Sequence, residues 1–334
     1  MTPDADDRGR AAAPDRQAPT DRQGRRLELA ARAAWLYYIG GNTQDEIAAK
    51  LNTSRQGAQR LIALAAAEGL IKFRIDHPIS ACFALADAVQ KVYGLDYCEV
   101  VPSDPADPFA LGGLAVAAAE RIEAWLAQKA PLTLAVGSGR TLRASVRQVS
   151  SMDRPQHRIV SMVGTLTPQG RSSPYDVVMR LSDRVGAACF PLPMPIYADT
   201  VENRDRLISQ MSVGRLFAMS AEARVAMVGV GEISWTAPVY RDGFVTESEM
   251  QELFDGGAAG EIHGRAFDAE GALIDTPLIR RALSAPLEPS TTRTTIAVAA
   301  GPGKREAIRA ALVGRLVSGL ITDEATAQSL LDTR

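Results

Sequence analysis

A chain of 334 residues has room for one small domain and one large one, and 46 % apolar against 23 % charged residues implies a globular fold over most of it. Three cysteines (Cys82, Cys98, Cys189) and three histidines (His77, His157, His263) lie scattered. That spacing excludes a disulfide framework, a CxxC metal pattern and a structural zinc site, so no metal or cofactor is expected and a reducing compartment fits. The net charge of −2 hides an asymmetry: residues 25–75 carry +4, residues 1–24 carry −1 and residues 76–334 carry −5, a small basic module on a larger acidic body, suited to meeting phosphates.

Residues 1–24 mix Pro3, Pro14 and Pro19 with charge of both signs and show no apolar periodicity, so a disordered tail is expected. There is no signal-peptide core, and the longest apolar run, near Ala110–Ala119, is about half of the ~20 residues a membrane span needs. The chain is therefore read as soluble and cytoplasmic, with no membrane partner.

Over residues 25–78 the pattern is that of a winged helix-turn-helix. A helix runs from about Leu27 to Ile39 and stops at Gly40-Gly41-Asn42. Thr43-Gln44-Asp45-Glu46 is a capping box opening a short second helix, Asn52-Thr53 supplies a turn, and Ser54 caps a third helix that ends at Gly69. Ala58, Leu61, Ile62 and Ala65 share one side of that helix, while Arg55, Gln56, Gln59 and Arg60 span an arc of roughly 140° on the other. Arginine suits guanine and glutamine suits adenine, so this face is equipped to read the major groove. Gly57 stands against helix formation, and either allows close approach to DNA or is merely tolerated. Leu70–Ile75 alternates with period two and reads as a wing strand whose Lys72 and Arg74 reach phosphates. Thr43, Gln44 and Ser54 complete the expected DNA-contacting set. A solvated face on a plain three-helix bundle is the bland alternative.

Residues 79–334 form the second expected domain, with a connecting helix over about 79–94. Strands are expected at Tyr97–Val101, Leu132–Val136, Arg158–Met162, Val225–Val230, Glu261–Phe267 and Thr294–Ala299. Helices are expected at about 109–129, 140–149, 174–187, 203–218, 247–254 and 303–317. This alternation implies an α/β fold with a mainly parallel sheet covered on both faces. Gly137-Ser138-Gly139-Arg140-Thr141 joins a strand to a helix, where backbone amides and the helix N-terminus favour an anion. The motif alone is weak: it lacks the third dinucleotide-binding glycine and the Walker ending, and a tight turn accounts for it equally. Gly164-Thr165 and Gly301-Pro302-Gly303-Lys304 also follow strands, and such loops gather at the carboxyl edge of a parallel sheet. Glu261, His263 and Asp268 are either hydroxyl partners there or strand-end structure.

These segments together resemble the SorC family of sugar-binding transcription regulators, grouped with DeoR-like regulators, over about residues 25–333. Leu51–Arg55 through Glu68–Ile71 is similar to its helix-turn-helix, and Gly137–Leu142 to its phosphate loop, usually written GWGRT. Gly257–Asp268 is similar to its GAVGDICGRFFD segment, and Gly319–Ala327 to its C-terminal marker. Ser138 in place of the usual aromatic, Glu261 in place of Asp and Thr165 in place of a frequent glycine are departures. Trp35-Leu36 and Gly94–Glu99 look most like members that control polyol operons of the erythritol type. The resemblance implies a larger domain folded like ribose-5-phosphate isomerase and glucosamine-6-phosphate deaminase. It also implies a phosphorylated sugar or polyol effector, and a homodimer or homotetramer on palindromic double-stranded operator DNA, with repression the expected mode. An isomerase or deaminase fused to a DNA-binding module, and a DNA-binding oligomer with an empty pocket, are the competing readings.

Overall fold

The computed structural model describes residues 22–71, 79–104, 106–107, 109–289 and 293–332. The chain divides into two compact units, Met1–Arg74 and Ile75–Arg334. Most of the expected tail and the wing with Lys72 and Arg74 lie outside the described residues.

In the first unit, α1 (Arg22–Ala34) starts five residues before the expected Leu27, so residues 22–24 belong to a helix and not to the tail. Arginine and glutamine are good helix formers and extend the helix without apolar periodicity. At Trp35–Ile39 the helix widens into a π-helical turn, with the Gly40 amide donating to the Trp35 carbonyl at 2.9 Å. Asn42 then ends it, its Nδ2 donating to the Leu36 carbonyl at 2.9 Å. The capping box before α2 (Gln44–Lys50) is complete: the Thr43 Oγ1 accepts from the Glu46 amide, and Glu46 accepts from the Thr43 amide at 2.8 Å. Asn52 takes a left-handed conformation (φ 49°) in the turn, which asparagine tolerates. Ser54 caps α3 (Arg55–Ala67), accepting from the Gly57 amide at 3.0 Å. Ala33, Ile47, Ala48, Ala58 and Ile62 form the small core of these three helices.

The second unit is a seven-stranded, wholly parallel sheet with a three-stranded antiparallel sheet beside it. Its strands are β1 (Tyr97–Val101), β2 (Thr133–Val136), β3 (Arg158–Ser161), β4 (Ala188–Phe190), β5 (Val225–Val228), β6 (Gly231–Glu232), β7 (Gly260–Ile262), β8 (Arg265–Phe267), β9 (Thr294–Val298) and β10 (Gly319–Asp323). The large sheet runs β1-β10-β9-β5-β2-β3-β4, and β6-β7-β8 make the small one. Alternate strand residues enter opposite cores. Leu134, Ile159, Met227 and Ile296 join the cluster under Leu114, Ile122 and Leu142. Ala135, Val160, Ala226 and Ala297 join the cluster under Val89, Ile308 and Leu330. Burial on both faces is why these strands read as continuous apolar runs.

Two expectations are corrected. Glu261–Phe267 is not one parallel strand but the antiparallel hairpin β7–β8. Its two-residue turn, His263-Gly264, holds both residues at positive φ (41° and 83°), the geometry of a type I′ turn. The helix expected over 203–218 is two, Val201–Ser209 and Met211–Glu222, because Gln210 between them is extended (φ −65°, ψ 130°).

Candidate functional site

From β2 the chain runs rightward through β3 and β4; from β5 it runs leftward through β9 and β10. The winding reverses between β2 and β5, which places a crevice beyond their carboxyl ends. A cavity of about 110 Å3 sits there, lined by Ser138, Gly139, Arg140 and Thr141 after β2, Gly229–Glu232 after β5, and Lys304 after β9. Gly139, at φ 138°, turns the chain into α4 (Arg140–Gln148), whose first-turn amides have no partner within the helix. Glu261 and His263 of the hairpin close one side, and Tyr175, Tyr197 and Phe244 add an apolar wall.

Charge in the cavity is balanced and partly desolvated. Burial pushes the Glu261 carboxyl above its ordinary value, against the pull of the Gly264 amide, which donates to it at 2.9 Å, and of Lys304. Burial lowers the Lys304 ammonium; Glu261 and Glu232 oppose that and Arg140 adds to it. Two glycines leave room for these carboxylates. A Cβ on Gly231 would stand 2.1 Å from Glu261 Oε1, and one on Gly303 2.3 Å from Glu232 Oε2. The arrangement offers cations and free amides to a phosphate and carboxylates to hydroxyl groups.

Four of the residues expected to hold the effector do not line the cavity. Gly137 continues the sheet, its amide donating to the Met227 carbonyl at 2.9 Å. Thr165 is buried and donates through its hydroxyl and its amide to the Leu192 carbonyl. Asp268 accepts from the Glu270 and Ala272 amides at 3.1 and 2.8 Å and so shapes a turn. Gly164 is packed against backbone: a Cβ would stand 2.2 Å from the Pro195 carbonyl oxygen. Gly164→Ala is therefore expected to destabilise the fold by about 3 kcal/mol through overpacking. Urea unfolding checks this, and unchanged stability would contradict it. Glu232, Tyr175 and Tyr197 were not found from the sequence, although Gly229 and Gly231 repeat the glycine-after-strand signal of Gly137 and Gly139.

In the first unit Arg55, Gln56, Gln59 and Arg60 are all exposed on one side of α3, opposite buried Ala58, Ile62 and Ala65. Arg60 donates to Gln56 Oε1 at 3.3 Å, and Arg55 lies 3.8 Å from Asp45. Such exposed contacts are weak and exchange readily for others. Thr43 and Ser54 spend their hydroxyls on helix capping, and Gln44 is half-buried. Gly57 has a local cause: a Cβ there would stand 2.2 Å from Thr53 Oγ1. Were this face to read base edges in duplex DNA, Arg60→Ala would weaken that binding by about 1–3 kcal/mol and relax base preference at one position. Gel-shift titration reads this, and equal affinity for mutant and wild type would sink the assignment.

Comparison with known proteins agrees with this architecture. The sugar-binding domain family, Sugar-bind, matches residues 77–332. The erythritol catabolism regulatory protein EryD of Brucella abortus is 35 % identical over 303 residues, covering 91 % of this chain and 96 % of that one. The transcriptional regulator LsrR of Klebsiella pneumoniae is 31 % identical over 310 residues, covering 91 % and 93 %. Among solved structures, the full-length sorbitol operon regulator SorC of Klebsiella pneumoniae superposes with a TM-score of 0.68 at 24 % identity, covering 91 % of this chain and 98 % of that one. The family match and these relatives define a sugar-responsive transcriptional regulator. The chain belongs to the SorC family of sugar-binding transcriptional regulators. Among the described residues no helix is long and apolar enough to cross a membrane.

Proposed function

We propose that this protein is a cytoplasmic repressor that binds a palindromic operator through α3 and leaves it when a phosphorylated polyol or sugar enters the cavity between β2 and β5. The observation that carries the reading is the meeting of three glycine turns, after β2, β5 and β9, at the reversal of the sheet, with Lys304 and Arg140 in the same cavity. A dianionic phosphate needs several converging donors, and glycine turns at a helix start supply amides without side-chain bulk. Ser138, Gly139, Arg140, Thr141 and Lys304 hold the phosphate. Glu261, with Glu232 beside it, takes the hydroxyls. The likeness to a regulator of erythritol catabolism supports a short polyol as the carbon skeleton. Two-fold symmetric operators call for a homodimer or homotetramer, since one small helix-turn-helix module carries few base contacts. The protein acts by binding and carries out no turnover.

Thermal unfolding with and without erythritol phosphate tests the cavity reading. A ligand at a hundred times its Kd adds about 2.7 kcal/mol to stability. The expected result is a rise in Tm with the phosphorylated polyol and no consumption of it. Product formation would mark an enzyme, and no rise with any phosphorylated polyol or sugar would leave the cavity without its ligand.

A further inference from the structure

The larger unit carries a second cleft, of about 450 Å3, which shares no lining residue with the first. Three arginines line it, Arg204, Arg265 and Arg280, together with Asp275 and apolar residues including Leu273 and Ile279. Arg280 is neutralised there, donating through Nε and Nη2 to the two carboxylate oxygens of Asp275, each at 2.7 Å. The other two are paired less fully. Arg204 pairs through Nη1 with Asp205 at 2.8 Å, but its Nε is buried and has no hydrogen-bond partner among the described residues. Arg265 donates only to neutral acceptors, the hydroxyl and carbonyl of Ser284, both at 3.1 Å. Among the described residues no carboxylate lies within 4 Å of its guanidinium. Two guanidiniums thus face one cleft with a single adjacent acid between them. Burial holds Arg265 below its ordinary pKa and the charge of Arg204 lowers it further, while Tyr197 and Glu288 counter from a distance.

We propose that this cleft is a second anion site, in which Arg204 and Arg265 hold the phosphate or carboxylate group of a free small molecule. Arginine is the side chain whose planar fork matches an oxyanion, and a buried charged donor left without an acceptor is costly. An oxyanion in the cleft relieves the repulsion between the two guanidiniums that line it. Leu273 and Ile279 offer a surface for a short carbon chain. Three arginines against two aspartates, Asp205 and Asp275, leave the cleft net positive and so disfavour a cation as the occupant.

Equilibrium dialysis of the full chain against inorganic phosphate, and in parallel citrate, tests the proposal at ionic strength held constant with chloride. The chain carries Lys304→Ala, which weakens phosphate binding in the first cavity, with or without Arg204→Gln. At least one anion is expected to bind the Lys304→Ala chain, and adding Arg204→Gln to lower that affinity about tenfold to a hundredfold. The anion retained tells phosphate from carboxylate. Arg204→Lys, which keeps the charge but loses the fork, is expected to fall between the two, and circular dichroism reports whether each variant is folded. If Arg204→Gln does not fold, the comparison with Arg204→Lys decides, and equal affinity there overturns the site. Binding indifferent to Arg204→Gln in a folded chain, or binding of neither anion, overturns it as well.

Discussion

Replacing Lys304 with alanine is expected to leave operator affinity unchanged and to lower effector affinity roughly tenfold to a hundredfold. Lys304 reaches the cavity from the turn after β9, held by a Gly301 amide that donates to Thr326 Oγ1 at 3.1 Å and by its own amide, which donates to the Gly301 carbonyl at 3.0 Å. Its ammonium is a charge-assisted donor to a phosphate, an interaction typically worth about 1.5–3 kcal/mol. Arg140 and the first-turn amides of α4 remain in the mutant, so binding is weakened and not abolished. Induction requires the effector to favour one state of the protein over another, so the response weakens in step with the differential affinity. Titrating the mutant–operator complex with the phosphorylated polyol reads both quantities. Release at the wild-type concentration would show that Lys304 does not touch the phosphate. The pH dependence has a definite sign. Burial lowers the lysine pKa, so the proton is lost, and effector affinity falls, at lower pH than for an ordinary lysine.

His263 is expected to make the fold acid-labile. It is buried, its Nε2 bonds the Ala285 carbonyl at 3.1 Å, and its Nδ1 has no partner among the described residues. Burial pushes its pKa down from 6.5 to about 3, with Arg265 and Arg293 adding to the shift and the Ala285 carbonyl opposing it. The unfolded chain therefore takes up a proton near pH 6.5 that the folded chain refuses until about pH 3. A depressed pKa of this kind means stability that is present above pH 6.5 and drains away as pH falls toward 3. By pH 5 the loss from this residue is about 2 kcal/mol. Glu261 has the opposite sign: burial raises its pKa, so its contribution is largest in acid and is lost as pH rises. His263→Asn separates the two, because asparagine accepts the positive φ of the turn and does not titrate. Urea unfolding at pH 7.5 and pH 5 should show the wild type losing about 2 kcal/mol more than the mutant. Equal losses would mean that His263 is not held neutral.

The sequence made the parts of this molecule legible where one residue type has one use. Thr43 and Glu46 at capping-box spacing predicted a cap that is present on both sides. Apolar runs predicted β2, β5 and β9, and the glycines after β2 and β9 predicted two of the cavity's turns, whereas the turn after β5 was not foreseen. Position failed where two structures share one pattern. Glu261–Phe267 is apolar enough for a parallel strand, and only the two-residue His263-Gly264 turn reveals the hairpin. Asp268 stands at a strand end like a ligand, but its Oδ1 accepts from two neighbouring amides and shapes a turn. Gly164 looked like an anion turn and is a close contact between backbones. Glu232 stayed hidden because its use depends on Gly303, seventy-one residues away, leaving room for its carboxylate. No local pattern records such a meeting. The polar arc of α3 was readable, since helix period alone decides which side Ala58, Ile62 and Ala65 bury.

If a phosphorylated effector in the cavity between β2 and β5 governs operator binding, phosphorylation of the polyol decides whether the operator is released. Fluorescence anisotropy of labelled operator bound to the wild-type chain tests it most directly, titrated in turn with erythritol and with erythritol phosphate at fixed salt. Release by the phosphorylated compound is expected at concentrations at least tenfold below any at which the free polyol acts. Release by both at the same concentration, or by the unphosphorylated polyol alone, would contradict it.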